Sequence, residues 1–397
     1  MKKWPTRRLS DVAEVFNGKT PPKGEQRESG YPVLKIRDVD GLGTFRGPFQ
    51  SFVDDTYAAK YNSKFVRKGD LLILNAAHSA THVASKTYRA SPQAYDALAT
   101  GEWLVVRPSS ESLDPGFMSH WINHPATRGR LREIVNGIHL YPRDVAALDI
   151  PLPPLPEQRR IAAILDHADA LRTKRREALS RLDELAQTVF IETFDSDTPH
   201  LIRPLGEVAD VASGITKGRR LSEGTPTTTV PYMTVANVQD KNLDLTTVKE
   251  IEATEAEISR YRLKYNDLLL TEGGDPDKLG RGTLWREELP LTIHQNHIFR
   301  VRSTSDAVDP VYMNWSIGSR HGKAYFLRSA KQTTGIASIN STQLKNFPLP
   351  IPPMNLQSSF KERIREISRT KRNQLLATEQ LETLFQALQS RAFRGEL

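Results

Sequence analysis

"PLPPLPEQRRIAAIL", Pro151–Leu165, sets four prolines directly ahead of a run that contains no helix breaker. Pro156 suits the first turn of a helix, where its missing N–H is no loss, and Glu157 suits the positive end of the helix dipole. The prolines before it stop the helix from growing backwards and make a stiff, extended connector. Beyond Pro156, the residues Ile161, Ile164, Ala168, Leu171, Arg175, Ala178, Leu182, Leu185 and Val189 follow 3-4 spacing. All but Arg175 are apolar, which is the pattern of an a/d seam on a long helix.

The same element returns at the far end of the chain, so the reading widens to the whole sequence. At an offset near 199, "RRLSDVAEVFNGKT" (Arg7–Thr20) aligns with "RPLGEVADVASGIT" (Arg203–Thr216) and "YPVLKIRDV" (Tyr31–Val39) with "VPYMTVANV" (Val230–Val238). "RKGDLLIL" (Arg67–Leu74) aligns with "KYNDLLLT" (Lys264–Thr271), and "LDPGFMSHW" (Leu113–Trp121) with "VDPVYMNW" (Val308–Trp315). Last, "LDIPLPPLPEQRRI" (Leu148–Ile161) aligns with "FPLPIPPMNLQSSF" (Phe347–Phe360), with Gln158 over Gln357. Collinear blocks in the same order point to a tandem duplication. A PxxP ligand for an SH3-type groove would share the proline spacing, but recurrence ahead of two helices favours a joint.

Each half then reads as a mixed α/β block followed by a helical tail. Candidate strands "PVLKIRDV", "DLLIL", "EWLVVRP", "DLLLTEG" and "HIFRVRS" alternate with Gly/Pro/Asn/Ser loops, and one helix is expected from Pro115 to about Val135. The second tail places Phe360, Ile364, Ile367, Leu381, Leu384 or Phe385, Leu388 and Ala392 on one face, interrupted by polar residues around Lys371–Gln374. The spacer-packing residues expected from these seams are Ile161, Ile164, Leu171, Leu182, Leu185, Phe360, Ile364, Ile367, Leu381 and Leu388. At 1.5 Å per residue each tail spans on the order of 55 Å, too long for the inside of a small domain. The two tails pair with each other, antiparallel, or with those of another copy. The former gives one chain an internal pseudo-two-fold axis.

Composition narrows the class. At 397 residues the chain suits two or more domains. It has no cysteine, which excludes disulfides, thiolate metal sites and a cysteine nucleophile, and suits a reducing cytosol. No signal-like opening and no membrane-length apolar run is present, so a cytoplasmic protein with no membrane partner is expected. The net charge of +8 admits a polyanionic partner, and its excess is uneven: residues 1–150 carry 21 Lys and Arg against 16 Asp and Glu, while 195–347 is balanced.

Enzyme signatures are missing from the patterns that would carry them. "GSRHGKA" (Gly318–Ala324) falls short of a phosphate-binding P-loop, and "GLGTFRG" (Gly41–Gly47) lacks dinucleotide-loop spacing. The pairs His78/His82 and His120/His124 have i, i+4 spacing without the H-E-x-x-H frame of a zinc site. What remains is polar and basic loop chemistry at matching places. "NGKTPPKGEQR" (Asn17–Arg27) corresponds to "SGITKGRR" (Ser213–Arg220), and "NAAHSATHVASK" (Asn75–Lys86) to "EGGDPDKLGRG" (Glu272–Gly282). "NGIHLYPRD" (Asn136–Asp144) corresponds to "KQTTGIASINS" (Lys331–Ser341). Such side chains fit phosphates and base edges. The DNA-contact candidates are Lys19, Lys23, Arg27, His78, His82, Lys86, His139, Tyr141 and Arg143 in the first half. In the second they are Lys217, Arg219, Arg220, Lys278, Arg281, Lys331, Gln332 and Asn340. Both tails also carry "RTKR" (Arg172–Arg175 and Arg369–Arg372), suited equally to phosphates, to acids on a partner and to a solvated helix face.

The stretch Pro151–Phe190, the ending "LFQALQSRAFRGEL" (Leu384–Leu397) and the "LSDVAEVFNGKTP"-like opening of each half resemble the specificity (S) subunits of type I restriction-modification systems. "PPMNLQ" departs from the pattern by lacking the glutamate before glutamine, and "GIASI" (Gly335–Ile339) is matched only loosely by "GIHLY" (Gly137–Tyr141). The resemblance covers the whole chain and implies an α+β fold: two mixed α/β target-recognition domains separated by two long conserved helices in an antiparallel coiled coil. The domains would be 1–150 and 196–347, with a proline joint and spacer helix at 151–195 and again at 348–397. It implies that the chain reads a bipartite, asymmetric site on double-stranded DNA without catalysing anything itself. It also implies that two methyltransferase (M) subunits and restriction (R) subunits dock on the chain, bringing S-adenosylmethionine, ATP and Mg, with no cofactor in this chain. A nuclease needing its own metal site and a coiled-coil adaptor that never touches DNA are the competing readings.

Overall fold

The computed structural model describes residues 4–194, 200–222, 224–275, 278–333 and 336–397. The chain forms two compact units, Met1–Ala178 with Gln374–Leu397, and Leu179–Asn373.

In the first unit a four-stranded antiparallel sheet runs in the order Ala13–Asn17, Trp103–Pro108, Leu71–Leu74, Thr87–Arg89. Leu71–Leu74 is apolar throughout because both of its faces are covered, and Leu72 and Ile73 are wholly buried. A smaller three-stranded sheet, Phe52–Val53, Tyr31–Leu34, Leu98–Ala99, flanks it. The helix Pro115–Ile122 starts where the Asp114 side chain accepts from Phe117 N, with Pro115 in the first turn. The single helix expected from Pro115 to about Val135 is in fact two. Pro125 cannot continue the ladder, and a second helix, Pro125–Glu133, begins there with His124 as its cap.

In the second unit a four-stranded sheet runs Ala209–Ser213, Ile298–Ser303, Leu268–Thr271, Gly282–Leu284. Beside it lie the strands Lys249–Ala253, Thr228–Met233 and Ile293–His294, and the helix Pro310–Ile317 is capped by Asp309. Each sheet holds one buried carboxylate, just ahead of a strand, against an arginine on the neighbouring strand. Arg107 meets Asp70 at 2.7 Å in the first unit and Arg302 meets Asp267 at 2.6 Å in the second, both carboxylates being wholly buried.

Each block is closed where its helix begins. Thr6–Arg8 pairs with Asp149–Pro151, and Leu201–Pro204 with Pro348–Ile351, so the first strand of a block lies antiparallel to its last. Just beyond, a wholly buried glutamine fastens the proline joint. Gln158 accepts from Asp114 N at 2.9 Å and donates to Ser112 O and Pro153 O, both at 2.8 Å. Gln357 accepts from Asp309 N at 2.8 Å and donates to Ala307 O at 2.9 Å and Pro352 O at 2.8 Å.

The long helices are Leu155–Phe194 and Met354–Arg394. Within the first unit their contacts run in opposite directions along the two sequences. Arg160 donates to Leu397 O at 2.9 Å, Arg172 to Glu382 at 2.9 Å, and Arg175 to Gln374 at 2.6 Å. Within the second unit Lys371 meets Asp183, and Phe360 packs edge-on against Phe190 and Phe194.

The buried face of the first helix corrects the expected seam. Ile161, Ala168 and Val189 are buried and Leu182 half-buried, as the spacing predicts. The alternate positions, however, lie one residue later. Leu165 and Ala186 are buried where Ile164 was expected fully inside and where Leu185 is 47% exposed, and Leu171 is 43% exposed. Arg172 takes the inward place instead, its guanidinium 4.0 Å from the Phe385 ring centroid while it pairs with Glu382. On the second helix Phe360, Ile364 and Phe385 are buried, Ile367, Leu381 and Leu388 are half-buried, and Leu384 is exposed.

Candidate nucleic-acid interface

The loops that matched in sequence are brought together within each unit. In the first, Leu140 N donates to Asn75 O at 2.8 Å, and Ala76 and Asn136 bridge to His139. Asn75 also donates from its side chain to Asn17 Oδ1 at 2.9 Å and to Gly101 O at 3.0 Å, drawing in the loop that carries Lys19. In the second unit Gly273–Gly274 pairs with Ile336–Ser338, which pairs with Lys331–Thr333, and Ile339 N donates to Glu272 O at 2.9 Å. One polar edge is thus assembled from equivalent loops in each unit.

The candidate side chains divide by what they touch. Lys19, Lys23, His78, His82, His139, Tyr141 and Arg143 are exposed, as are Lys217 and Arg220. His139 and Tyr141 have ring centroids 6.2 Å apart, and His82 Nδ1 lies 2.7 Å from Ser79 Oγ. Lys278 is exposed but paired with Asp275 in its own turn.

Five candidates are instead engaged by their own chain. Lys86 donates to Ile36 O at 3.1 Å and Val39 O at 2.6 Å, and burial lowers its pKa below that of an ordinary lysine. Arg219 forks onto Glu257 and donates to Glu252 O at 2.8 Å. The hydrogen bonds from Arg219 hold the Glu257 carboxyl down at about 2. Asn340 caps the helix Ser341–Lys345, accepting from Gln343 N at 2.9 Å. Arg27, although exposed, reaches Asp54 at 2.8 Å and Gly24 O at 2.7 Å, which closes its own loop. Arg281 donates to Gln239 at 3.2 Å. The side chains of Lys331 and Gln332 lie outside the described ones.

The histidine pairs take other roles. His120 meets Asp166 of the first long helix at 2.8 Å, and His124 caps a helix. Among the described residues no group of three or more His, Asp or Glu is placed to hold a metal ion. No helix among them is long and apolar enough to cross a membrane. Sequence reasoning missed the Glu272–His297 contact at 2.6 Å, whose partners are 25 residues apart. It also missed His294, wholly buried beneath Gly214, with burial pushing its pKa down to about 4.

The chain thus carries two mixed α/β blocks, each closed by a clasped proline joint onto a long helix and each presenting an edge of polar loops. Comparison with known proteins finds likenesses to one group. Residues 1–181 match the model described as type I restriction modification DNA specificity domain. The chain is 20% identical to the type I restriction enzyme StySPI specificity subunit of Salmonella potsdam, over 99% of this chain and 89% of that protein. It is 21% identical, with the same coverage, to the EcoKI specificity subunit of Escherichia coli K12. Among solved structures, the S subunit from M. genitalium superposes with a TM-score of 0.56 at 13% identity, covering 98% of this chain and 96% of that one. A chain from work on complex assembly and conformational transition of the type I R-M system also gives 0.56, at 20% identity, covering 100% and 99%. These likenesses show the fold. Over residues 1–181 the chain resembles the type I restriction modification DNA specificity domain, and over nearly its whole length it is similar to type I restriction enzyme specificity subunits.

Proposed function

We propose that this chain is the non-catalytic, sequence-reading subunit of a type I restriction-modification complex. Each mixed block reads one half of a bipartite, asymmetric DNA site through its edge of polar loops. The two long helices pair as an antiparallel coiled coil and serve as the spacer between half-sites. The observation that carries this reading is the doubled construction: the same sheet order, the same buried Arg–Asp pair and the same glutamine clasp occur twice with different loops. Two heads of one design with different loop chemistry suit two different half-sites. Methyltransferase subunits bringing S-adenosylmethionine, and restriction subunits bringing ATP and Mg, dock on the chain. The relatives' names as type I restriction enzyme specificity subunits support this assignment of labour.

The test is methylation mapping in a host that carries this subunit with its partners. Replacing residues 1–150 by another block should change one half-site and leave the other. A change in both half-sites, or in neither, refutes the two-head reading, and DNA cleavage by the purified chain alone refutes the non-catalytic one.

A further inference from the structure

Five basic and aromatic side chains converge on the first block, and of them only Lys19 lies in a loop matched above. The strand Ala13–Asn17 carries Phe16, and the chain then turns at Gly18, packed so closely on the carbonyls of Ala99 and Thr100 that no side chain fits there. The next residue, Lys19, is pinned by its own N–H to Ala99 O at 2.7 Å. Opposite, the short helix Asp55–Lys60 ends at Tyr61, and Lys64 N donates back to Tyr61 O at 2.8 Å. Lys19 Nζ and Lys60 Nζ therefore lie 5.4 and 5.5 Å from the Tyr61 ring centroid, and Lys64 Nζ lies 4.5 Å from that of Phe16.

Arg107 also faces Phe16, at 5.0 Å, but its charge is spent on Asp70. Among the described residues none of the three lysines has a carboxylate partner. Nearby acids are engaged elsewhere, Asp54 with Arg27 at 2.8 Å and Glu25 with Arg27 at 3.6 Å. Burial and the neighbouring Arg107 both hold Lys64 below the usual lysine range, a penalty that an arriving anion relieves. In the second block the helix Glu255–Tyr261 likewise carries a cation on its terminal tyrosine, Arg260 being 5.3 Å from the Tyr261 centroid.

We propose that Lys19, Lys60 and Lys64, mounted on Tyr61 and Phe16, form a clamp for phosphate oxygens of the DNA backbone. The proposal rests on the DNA-reading function above and assigns these residues to grip rather than to sequence. An ammonium group is a point charge without the fork that reads a base edge bidentately, and backbone contacts fix register without carrying sequence information. The aromatic rings stiffen the lysine stems, so less freedom is lost when a phosphate is bound.

The experiment measures binding of the full chain to random-sequence duplex DNA as salt is raised. The triple variant Lys19→Ala, Lys60→Ala, Lys64→Ala should lower the slope of log affinity against log salt by about 2–3, at roughly 0.9 for each phosphate no longer neutralised. The triple Lys→Arg variant should keep the slope, and the weakening should be the same for duplexes of different sequence. An unchanged slope, or weakening confined to one sequence, overturns the clamp. If the triple variant melts early, Lys60→Ala alone, at an exposed helix end, is read instead: a slope loss of about 0.9 supports the clamp and none overturns it. A wild-type chain with no salt-dependent affinity for DNA would sink the functional reading itself, which separates that failure from failure of the clamp.

Discussion

Replacing Gln158 by alanine removes a side chain that is wholly buried and makes three hydrogen bonds across the proline joint. The Asp114 amide loses its acceptor, and the carbonyls of Ser112 and Pro153 lose a donor. An orphaned buried donor costs about 1–3 kcal/mol. The two carbonyls add less, because each keeps a second lone pair and Ser112 is exposed to water. With the small void left behind, the loss comes to about 2–4 kcal/mol, roughly a 30- to 1,000-fold rise in opening of the joint. Hydrogen exchange followed by mass spectrometry is the appropriate assay, since a chain of two units need not unfold in one step. Peptides spanning 112–118 and 150–160 should lose protection by that factor, while those around Gln357 keep theirs.

Gln158→Glu sharpens the test. A carboxylate accepts from Asp114 N but offers no proton to the two carbonyls, so burial favours the protonated acid and raises its folded pKa. The penalty is therefore smallest below the unfolded value of about 4.3 and grows as pH rises through and above it. If Gln158→Ala exchanged like wild type, or Gln158→Glu grew more stable with rising pH, the joint would not be held by this side chain.

Three further outcomes follow from the same structure. Arg107→Ala leaves Asp70 buried without a counter-charge and should cost about 3–5 kcal/mol by urea denaturation; a midpoint shift no larger than that of a surface substitution would contradict the buried pair. Gly214→Ala would press a methyl into the carbonyls of His294 and Gln295, so limited proteolysis should open the second block, whereas Gly41→Ala, with open space around it, should be silent; equal resistance of both variants would refute the close approach. Burial pushes the Glu382 carboxyl up, but hydrogen bonds from Arg172 and Arg176 outweigh it and leave the pKa lowered. Its contribution is then full above the unfolded value of about 4.3 and is lost as pH falls through the lowered one, so Glu382→Gln should flatten that acid limb of the stability curve, and an identical limb would exclude the network.

Much of the architecture was legible because it is written twice. The aspartate–proline helix starts at Asp114 and Asp309 and the glutamines at 158 and 357 recur at matching places, and in the structure they meet one another. The phase of the long seam was not legible. Ile164 and Leu165 are both apolar, so 3-4 and 4-3 alternation fit equally, and the deciding residue, Arg172, faces inward only because Glu382 and Phe385 come from a distant helix. The interface was blurred for a related reason. Lys86, Arg219 and Asn340 look like free side chains in a loop, yet Lys86 satisfies carbonyls 47 and 50 residues away, and Asn340 spends its amide on the turn that follows it. Lys60 and Lys64 carry no signal in the sequence because each stands alone there, and only the fold sets them beside Lys19.

The first unit is assembled from Met1–Ala178 and Gln374–Leu397, and it includes a hydrogen bond from Trp4 Nε1 to Ala392 O and a Phe117–Phe393 ring contact. During synthesis the head made first is thus the one finished last. At about 5–20 residues per second, its apolar strip of Ile161, Leu165 and Ala168 waits roughly 10–40 s for the stretch that covers it. For that interval the nascent chain offers a sticky face to chaperones and to other nascent chains. A stop codon a few residues before Phe385 would harm the amino-terminal head more than the block encoded just upstream of it.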